Sequence, residues 1–209
     1  MTGKLFIVAT PIGNLNDITF RAVDVLKNVD IVLAEDTRHS KKLFTHFEIS
    51  TPIRAFHEHN EREKTKAIID EIHSGKSIAL ISDAGTPLIS DPGYYLVAYA
   101  KKEGIDVTPI PGPSALITAL SASGLASDSF TFFGFLPSKQ TARVKFLQKL
   151  ISSSETSIFY ESPKRILATL TDMLSIFGSV REVCLAKELT KSFETIYTDK
   201  IPSLIEYLT

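Results

Sequence analysis

The chain has 209 residues, of which 44% are hydrophobic and 22% charged, and its formal net charge is −1 at pH 7. This is the composition of an ordinary globular protein, long enough for one large domain or two small ones. The near-neutral charge gives no overall attraction to phosphate backbones or anionic membranes, which counts against a protein that binds nucleic acid by electrostatic attraction alone. A single cysteine, Cys184, excludes a cysteine-based zinc site.

The apolar segment near the start, LFIVATPIG, is short and is interrupted by Pro11 and Gly13. It has no basic region before it, so it indicates a first strand rather than a signal peptide. No apolar run reaches the length of a transmembrane helix. Cys184 lies in EVCLA, which is typical of a buried strand in a reducing compartment. We therefore predict a cytoplasmic protein with no membrane partner.

Strand-like and helix-like patterns alternate along the whole chain. The predicted strands are 5–9, 31–34, 77–81, 106–110, 130–133, 157–160 and 183–186. The predicted helices are 20–26, 40–47, 62–72, 92–103, 142–150 and 166–177, and the final IPSLIEYLT is also helical in pattern. Such alternation predicts parallel sheets covered by helices. The proline-rich run PIPGPSA, 109–115, predicts a boundary between two α/β lobes, residues 1–111 and 112–209.

Polar loops follow the first two predicted strands. TPIGNLND, 10–17, lacks the G-x-G-x-x-G pattern of dinucleotide-binding folds, and a plain strand–helix turn would explain it. In LAEDTRHSKK, 33–42, the charged residues Glu35, Asp36 and Arg38 lie at the carboxyl end of a strand, where α/β enzymes carry catalytic groups. An acidic pair beside an arginine suits catalysis or binding of a polar substrate, whereas an N-cap with a surface salt bridge is the structural alternative.

Two histidines, His57 and His59, share the compact loop AFHEHNE, 55–61, with two carboxylates. A His-x-His pair needs a third ligand and an open position to form a metal site, and the sequence offers none at a recognisable spacing. Hydrogen bonding to a substrate is the better functional interpretation, and a solvated loop is the structural one. No metal is predicted.

The most informative loop is DAGTPLISDPG, 83–93, which follows the apolar run SIALI. Its glycines and prolines make it too irregular for a helix or a strand. A stiff loop of small residues after a buried strand places backbone groups at the carboxyl edge of a sheet, where ligands bind in open α/β folds. It indicates an enzyme or a protein that binds a nucleotide-type ligand.

Later loops also place polar residues at strand ends and helix starts. Ser114 in PGPSA offers a hydroxyl beside the backbone N–H groups of a helix start, and the strand in FYESPKR ends in Tyr160 and Glu161. The second half also carries a basic stretch, which is usually just a solvated helix face. It comprises Lys139, Arg143, Lys145, Lys149, Lys164 and Arg165.

Seven motifs occur in order between Lys4 and about Glu194: TPIGNL, EDTR, DAGTPLISDPG, PGPSA, GFLP, YESPKR and KELTK. Together they resemble the tetrapyrrole methylase superfamily, and most closely its ribosomal RNA branch, the small-subunit rRNA (cytidine-2′-O)-methyltransferases. The porphyrin-modifying relatives have a glycine-rich first loop and Gly-Asp-Pro in the later one. This chain has Pro11 and Ile12 in the first and Gly85-Thr86-Pro87 in the second, which favours the RNA branch.

The resemblance implies two α/β lobes of the tetrapyrrole methylase type, with S-adenosylmethionine in a cleft between them, and a homodimer. It places cofactor contacts at Pro11, Ile12, Ala84, Gly85, Thr86, Ile89, Ser114, Ala115, Tyr160, Glu161 and Leu189. The family usually continues past Thr209, so we expect the second lobe to lack a last strand and a helical tail.

The activity implied is 2′-O-methylation of a cytidine in small ribosomal subunit RNA. A ribose hydroxyl is a very weak acid, so a base should assist; the candidates are Glu35, Asp36 and His57, with Glu35 first because it lies nearest the strand end. The expected substrate contacts are Arg38, His59, Asn60, Lys139, Arg143, Lys164 and Arg165. The alternatives are C-methylation of a tetrapyrrole precursor and a non-catalytic, cofactor-binding module of ribosome assembly.

Overall fold

A computed structural model of the chain describes residues 3–209. It forms two compact units, the first ending at Ser114 and the second spanning Ala115–Thr209. The strands are β1 Leu5–Val8, β2 Ile31–Ala34, β3 Ile53–Ala55, β4 Ile78–Ile81, β5 Val107–Ile110, β6 Phe130–Phe135, β7 Thr156–Tyr160, β8 Glu182–Lys187 and β9 Thr195–Lys200. The helices are α1 Phe20–Asn28, α2 Thr37–His46, α3 Glu61–His73, α4 Tyr94–Lys102, α5 Ala115–Ala122, α6 Gln140–Gln148, α7 Ile166–Phe177 and α8 Ile201–Leu208.

The first unit is built on a five-stranded parallel sheet with the order β3-β2-β4-β1-β5. Leu5 of β1 lies opposite Ile78 on one side and Val107 on the other. All four residues of β2 and of β4 are buried, as expected for central strands of a sheet covered on both faces. Pro109 lies in β5, an edge strand, where a missing N–H is tolerated.

Helices cover both faces of this sheet. Leu26 of α1 and Phe44 of α2 pack in one core cluster, while Ile72 of α3 and Leu96 of α4 pack in the other. Residues along β2 and β4 alternate between the two clusters, because successive side chains of a strand point to opposite faces. The result is a doubly wound α/β unit, as the alternating sequence pattern predicts.

The second unit pairs β6 with β7 in parallel and β8 with β9 in antiparallel. Its core lies among Leu136, Leu147, Leu170, Ile201 and Leu204. The expectation of parallel sheets is therefore wrong for β8 and β9. Only seven residues, 188–194, join these strands, and so short a connection cannot make the crossover that parallel neighbours need.

Several elements depart from the sequence prediction for local reasons. Helix α2 begins three residues earlier than predicted because Asp36 caps it, and α4 begins at Tyr94 because the backbone at Gly93 has φ 127°. The sequence pattern does not predict the strands β3 and β9, and of α5 it predicts only the start, at Ser114. Strand β3 has only three residues and no buried one, so its apolar signal is weak. Within residues 3–209, no helix is both long and apolar enough to cross a membrane.

Candidate functional site

The carboxyl edge of the first sheet brings together the loops that follow β1 and β4. These strands are neighbours, and their connections leave in opposite directions, which is the arrangement where open α/β sheets bind ligands. The Thr10 N–H donates to Gly85 O, and the Gly85 N–H donates to Thr10 O, both at 2.9 Å. This pair of hydrogen bonds fixes the TPIG loop against the DAGTP loop.

A third loop joins at the same place. The Thr86 hydroxyl donates to Pro113 O at 3.1 Å, which ties the DAGTP loop to PGPSA. Gly85 has φ +83°, and a Cβ there would lie 3.5 Å from Ile12 Cγ2 and 3.8 Å from Pro113 O. The structure thus gathers six of the predicted cofactor contacts at one edge of the first unit. They are Pro11, Ile12, Ala84, Gly85, Thr86 and Ser114.

Ile89 lies farther along the same loop and is 40% exposed. The other predicted cofactor contacts belong to the second unit. Ala115 is the first residue of α5, and Leu189 lies between β8 and β9. Tyr160 ends β7, and its ring meets those of Phe132 and Phe135 edge to face, with centroids 4.8 and 5.7 Å apart.

Asp36 is the N-cap of α2. Its Oδ1 accepts from the Arg38 N–H at 2.8 Å, and its Oδ2 lies 3.1 Å from the Arg38 guanidinium. The hydrogen bonds from the Arg38 side chain and backbone hold the pKa of Asp36 down at about 2. The N-cap and the surface salt bridge weighed from the sequence are both present. A carboxylate with so low a pKa is a poor proton acceptor.

Glu35 has the opposite electrostatic environment, although it is the next residue along the chain. Burial raises the pKa of the Glu35 carboxyl, and the negative charges of Asp83, Asp91, Glu58 and Asp36 raise it further. No cation lies within ion-pair distance of Glu35 in the described part of the chain. Of the two carboxylates, Glu35 is therefore the one poised to take up a proton.

His57 follows β3 at the same edge of the sheet and makes two contacts with the side chain of Asn60. The Asn60 Oδ1 accepts from the His57 backbone N–H at 3.0 Å, so its Nδ2 faces the ring and lies 2.9 Å from His57 Nε2. Because an amide nitrogen only donates, Nε2 must accept, and in the neutral ring the proton is then on Nδ1. The His57 Nδ1 atom is buried and has no hydrogen-bond partner among residues 3–209. In this tautomer the unpartnered ring nitrogen of His57 is a hydrogen-bond donor, which suits binding of an acceptor better than proton removal.

The structure argues against Arg143 as a substrate contact. Its side chain is only 5% exposed, its Nε donates to Asp172 Oδ2 at 2.8 Å, and its terminal nitrogen lies 2.6 Å from the same oxygen. The other oxygen of Asp172 accepts from the Gln140 amide at 2.9 Å. Arg143 and Asp172 thus form a buried ion pair between α6 and α7, and the guanidinium is not available to a phosphate.

Glu161 and Arg165 are also engaged inside the second unit. Glu161 Oε1 accepts from the Ser162 N–H at 2.8 Å, and Oε2 accepts from the Thr169 hydroxyl at 2.8 Å and from Arg165 at 3.1 Å. Arg165 also donates to Leu136 O at 2.7 Å, within GFLP. The YESPKR motif therefore holds the GFLP segment, and both oxygens of the Glu161 carboxylate already accept hydrogen bonds within the second unit.

The remaining predicted substrate residues are accessible. Lys139 precedes α6, Lys164 precedes α7, and His59 lies in the loop before α3; all three are exposed. Arg38 is exposed as well, although Asp36 pairs with it. Within residues 3–209, no group of three His, Cys, Asp or Glu side chains is arranged to hold a metal ion.

Two carboxylates of the site were missed by the sequence reasoning, although both lie in the motif it singled out. Asp83 Oδ1 accepts from the Asp36 N–H at 3.1 Å and so joins the ends of β4 and β2. Burial raises the pKa of Asp91, and the charge of Asp83 adds to this rise, against a lowering hydrogen bond from Ser82. Asp83 comes three residues after Leu80 in β4, so the rule that selected Glu35 would also have found it.

Comparison with known proteins identifies the family to which the chain is similar. The family described as Tetrapyrrole (Corrin/Porphyrin) Methylases matches residues 4–205. The chain is similar to proteins named Ribosomal RNA small subunit methyltransferase I in three bacteria, and it spans 71–74% of their lengths. The identity is 58% over 98% of the chain in Vibrio cholerae, 54% over 99% in Pseudomonas aeruginosa and 53% over 100% in Haemophilus influenzae.

Solved structures of low sequence identity share the fold. A diphthine synthase is 15% identical, with a TM-score of 0.76 over 98% of this chain and 84% of its own. A cobalamin biosynthetic enzyme, cobalt precorrin-4 methyltransferase, is 19% identical, with a TM-score of 0.68 over 98% of this chain and 88% of its own. With a family match that covers nearly all of its length, the chain belongs to the tetrapyrrole (corrin/porphyrin) methylases.

Proposed function

We propose that this chain transfers the methyl group of S-adenosylmethionine to the 2′-hydroxyl of a cytidine in small ribosomal subunit RNA. Membership of a methylase family supports the reaction class. The relatives named Ribosomal RNA small subunit methyltransferase I, at 53–58% identity, support the RNA substrate. The cytidine and the 2′-oxygen follow from the motif resemblance.

The observation that carries the proposal is the environment of Glu35. A ribose hydroxyl loses its proton as its oxygen attacks the methyl carbon, so a carboxylate with a raised pKa is a suitable acceptor. Asp36 has a pKa of about 2 and is the weaker base. We assign proton removal to Glu35, whose neighbours Asp83 and Asp91 keep its environment negative.

The loops at the carboxyl edge suit S-adenosylmethionine. When bound, this group supplies an electrophilic methyl carbon that needs no metal to react. Gly85, at φ +83°, leaves a small-residue surface beside Ile12 and Pro113, where backbone groups and apolar side chains can meet an adenosine and an amino acid. Pro11, Ile12, Ala84, Thr86 and Ser114, all of the first unit, would hold it. The contacts proposed at Ala115, Tyr160 and Leu189 rest on the motif resemblance alone.

The other polar residues of the first unit would orient the RNA. The proton on His57 Nδ1 lacks an acceptor among the described residues, and a ribose or phosphate oxygen would provide one. Arg38, His59 and Asn60 are proposed to act with it on the substrate. We assign the substrate side and part of the cofactor site to the N-terminal lobe, and we propose a cytoplasmic homodimer.

A direct test measures the binding of S-adenosylhomocysteine and the methylation of under-methylated small subunits. We expect the ligand to raise the melting temperature, since a ligand of the native state stabilises it. Glu35→Gln should lower turnover about 100-fold while leaving the ligand's effect on melting intact. Asp106→Asn, at the opposite edge of the sheet where Asp106 pairs with Lys4, is the matched control with unchanged turnover.

Turnover should also depend on pH through Glu35. Because a base must be ionised and the pKa of Glu35 is raised above 4.5, turnover should fall as the pH is lowered through that raised value. Full activity of Glu35→Gln would contradict the assignment. Methylation of a free tetrapyrrole precursor would favour the C-methylase alternative, and ligand binding without transfer to any substrate would favour the assembly module.

Lys139 and Lys164 are proposed phosphate contacts of the second lobe. Reversing both charges should weaken RNA binding several-fold at low salt and reduce the salt slope by about 2, since each lysine displaces about one counterion. Lys101 and Lys102, an exposed pair at the end of α4, provide a control with the same change of charge. An equal loss in the control pair would show that net charge alone is responsible.

A further inference from the structure

We propose that Glu61 is a positioning residue for the methyl-donor loop, which we define as residues 83–93. The inference rests on the proposed function, because it assumes that this loop binds the methyl donor. Glu61 is the first residue of α3, while the loop leads into α4, so the two belong to different helices. Neither the motif resemblance nor the sequence pattern assigns Glu61 a role.

Glu61 caps α4 from outside that helix. Its Oε1 accepts from the Tyr95 N–H at 2.8 Å and from the Leu96 N–H at 3.2 Å, and the residue is only 9% exposed. The first N–H groups of a helix have no partner within it, and a negative charge at this end is favoured by the helix dipole. The carboxylate of Glu61 thus supplies the acceptor that the start of α4 requires.

The N-cap residue of α4 does not supply that acceptor. Gly93 stands at the N-cap position of α4 with φ 127°, a conformation that side chains rarely adopt. A Cβ at Gly93 would lie 2.5 Å from Leu80 Cδ2 and 3.0 Å from Leu88 Cδ1. A capping Ser, Thr, Asp or Asn would therefore be strained at this position, and the acceptor comes from Glu61 of another helix.

The loop needs support at both ends because its own backbone is strained. Leu88 and Ser90 have φ +73° and +68°, in the left-handed region that is unfavourable for a residue other than glycine. The Thr10–Gly85 hydrogen bonds and the Thr86–Pro113 hydrogen bond fix the first end of the loop. Glu61 fixes the other end, where the chain enters α4.

The same residue connects the methyl-donor loop to the proposed substrate side. The Glu61 N–H donates to His57 O at 2.9 Å, directly after the segment in which Asn60 grips His57. One residue therefore touches the 57–60 segment through its backbone and the start of α4 through its side chain. We expect Glu61 to fix the position of the methyl-donor loop relative to the 57–60 segment.

The test compares Glu61→Ala and Glu61→Gln with the control Asp30→Ala. Like Glu61, Asp30 uses its carboxylate to accept a hydrogen bond from a distant backbone N–H, that of Ser77, at 2.8 Å. Ser77 precedes β4, so this bond lies at the end of the strand away from the methyl-donor loop. We expect Glu61→Ala to weaken S-adenosylhomocysteine binding about tenfold and to raise the KM for the methyl donor with kcat at saturation preserved. Glu61→Gln, which keeps an acceptor but no charge, should come within about threefold of the unchanged chain. Asp30→Ala should lower the melting temperature and leave the affinity unchanged.

Hydrogen exchange at Tyr95 and Leu96 separates the possible failures. If Glu61→Ala loses protection at these amides but binds the ligand as tightly as the unchanged chain, the cap is purely structural and the inference is overturned. If the unchanged chain does not bind S-adenosylhomocysteine, the proposed function fails first and the inference fails with it. Should Glu61→Ala not fold, a Glu61→Gln variant with unaltered affinity and lost protection would equally contradict a positioning role.

Discussion

Carboxylates of the two units have opposite environments. In the first unit, Glu35 is surrounded by Asp83, Asp91, Glu58 and Asp36, and its pKa is raised. In the second unit, Asp172 is paired with Arg143 at 2.6 Å, and Glu161 accepts from Arg165 and Thr169. Both units present polar residues near strand ends and helix starts, as their sequences suggest.

The difference separates residues that can act on a ligand from residues that hold the fold. A carboxylate that already pairs with an internal cation would leave that buried cation uncompensated if it turned to a ligand. Glu35 lies among like charges, an arrangement that lowers stability and suits proton transfer. A position at a strand end therefore indicates a possible functional residue. Whether a carboxylate already pairs with an internal cation then separates structural residues from candidates for catalysis.

Breaking the pair in the second unit should have the largest effect on stability. Asp172→Ala leaves the Arg143 guanidinium buried without its partner, which we expect to cost about 3–5 kcal/mol of the free energy of unfolding. Urea denaturation measures this. The double variant Arg143→Met with Asp172→Leu should recover most of the loss, since apolar pairs of similar volume replace buried ion pairs well. A loss below about 1 kcal/mol, typical of exposed pairs, would contradict the structural role.

Asp36→Ala should have a smaller effect. It removes the N-cap of α2 and the Arg38 pair, so we expect a modest drop in melting temperature at pH 7. Because the pKa of Asp36 is lowered from 3.8 to about 2, its contribution is present above pH 3.8 and is lost as the pH falls through about 2. Asp36→Ser, which keeps a capping oxygen, is the control. Turnover should fall less than in Glu35→Gln; an equal fall would make Asp36 the better candidate for the base.

Glu35→Gln should have the smallest effect on stability, and of opposite sign. A raised pKa means that the folded state binds the proton more readily, so the ionised carboxylate destabilises the fold above that pKa. Removing the charge should raise the melting temperature by about 1–3 °C at pH 7. The gain should vanish as the pH falls below 4.5, where Glu35 is protonated in both states. A lower melting temperature for the variant at pH 7 would show that the negative charge of Glu35 is stabilised by its surroundings, which would contradict this prediction.

The order of most elements, and the edge of the sheet at which the candidate site lies, could be predicted from the amino-acid sequence. Short apolar runs bounded by turn residues, such as those of β2 and β4, are typical of strands in a sheet covered on both faces, where all four residues of each run are in fact buried. The loops after them then fall at one edge, and the family resemblance rests on those loops.

The pairing of polar residues that lie far apart in the chain, unlike the local Asp36–Arg38 pair, follows from the packing of the folded chain. Arg143 finds Asp172 across 29 residues, Asp83 meets Asp36 across 47, and Glu61 reaches Leu96 across 35. None of these separations leaves a periodic signal in the sequence. Hydrophobic periodicity records which face of an element is buried, whereas the pairing of charges depends on how distant elements pack, and that is fixed only when the chain has folded.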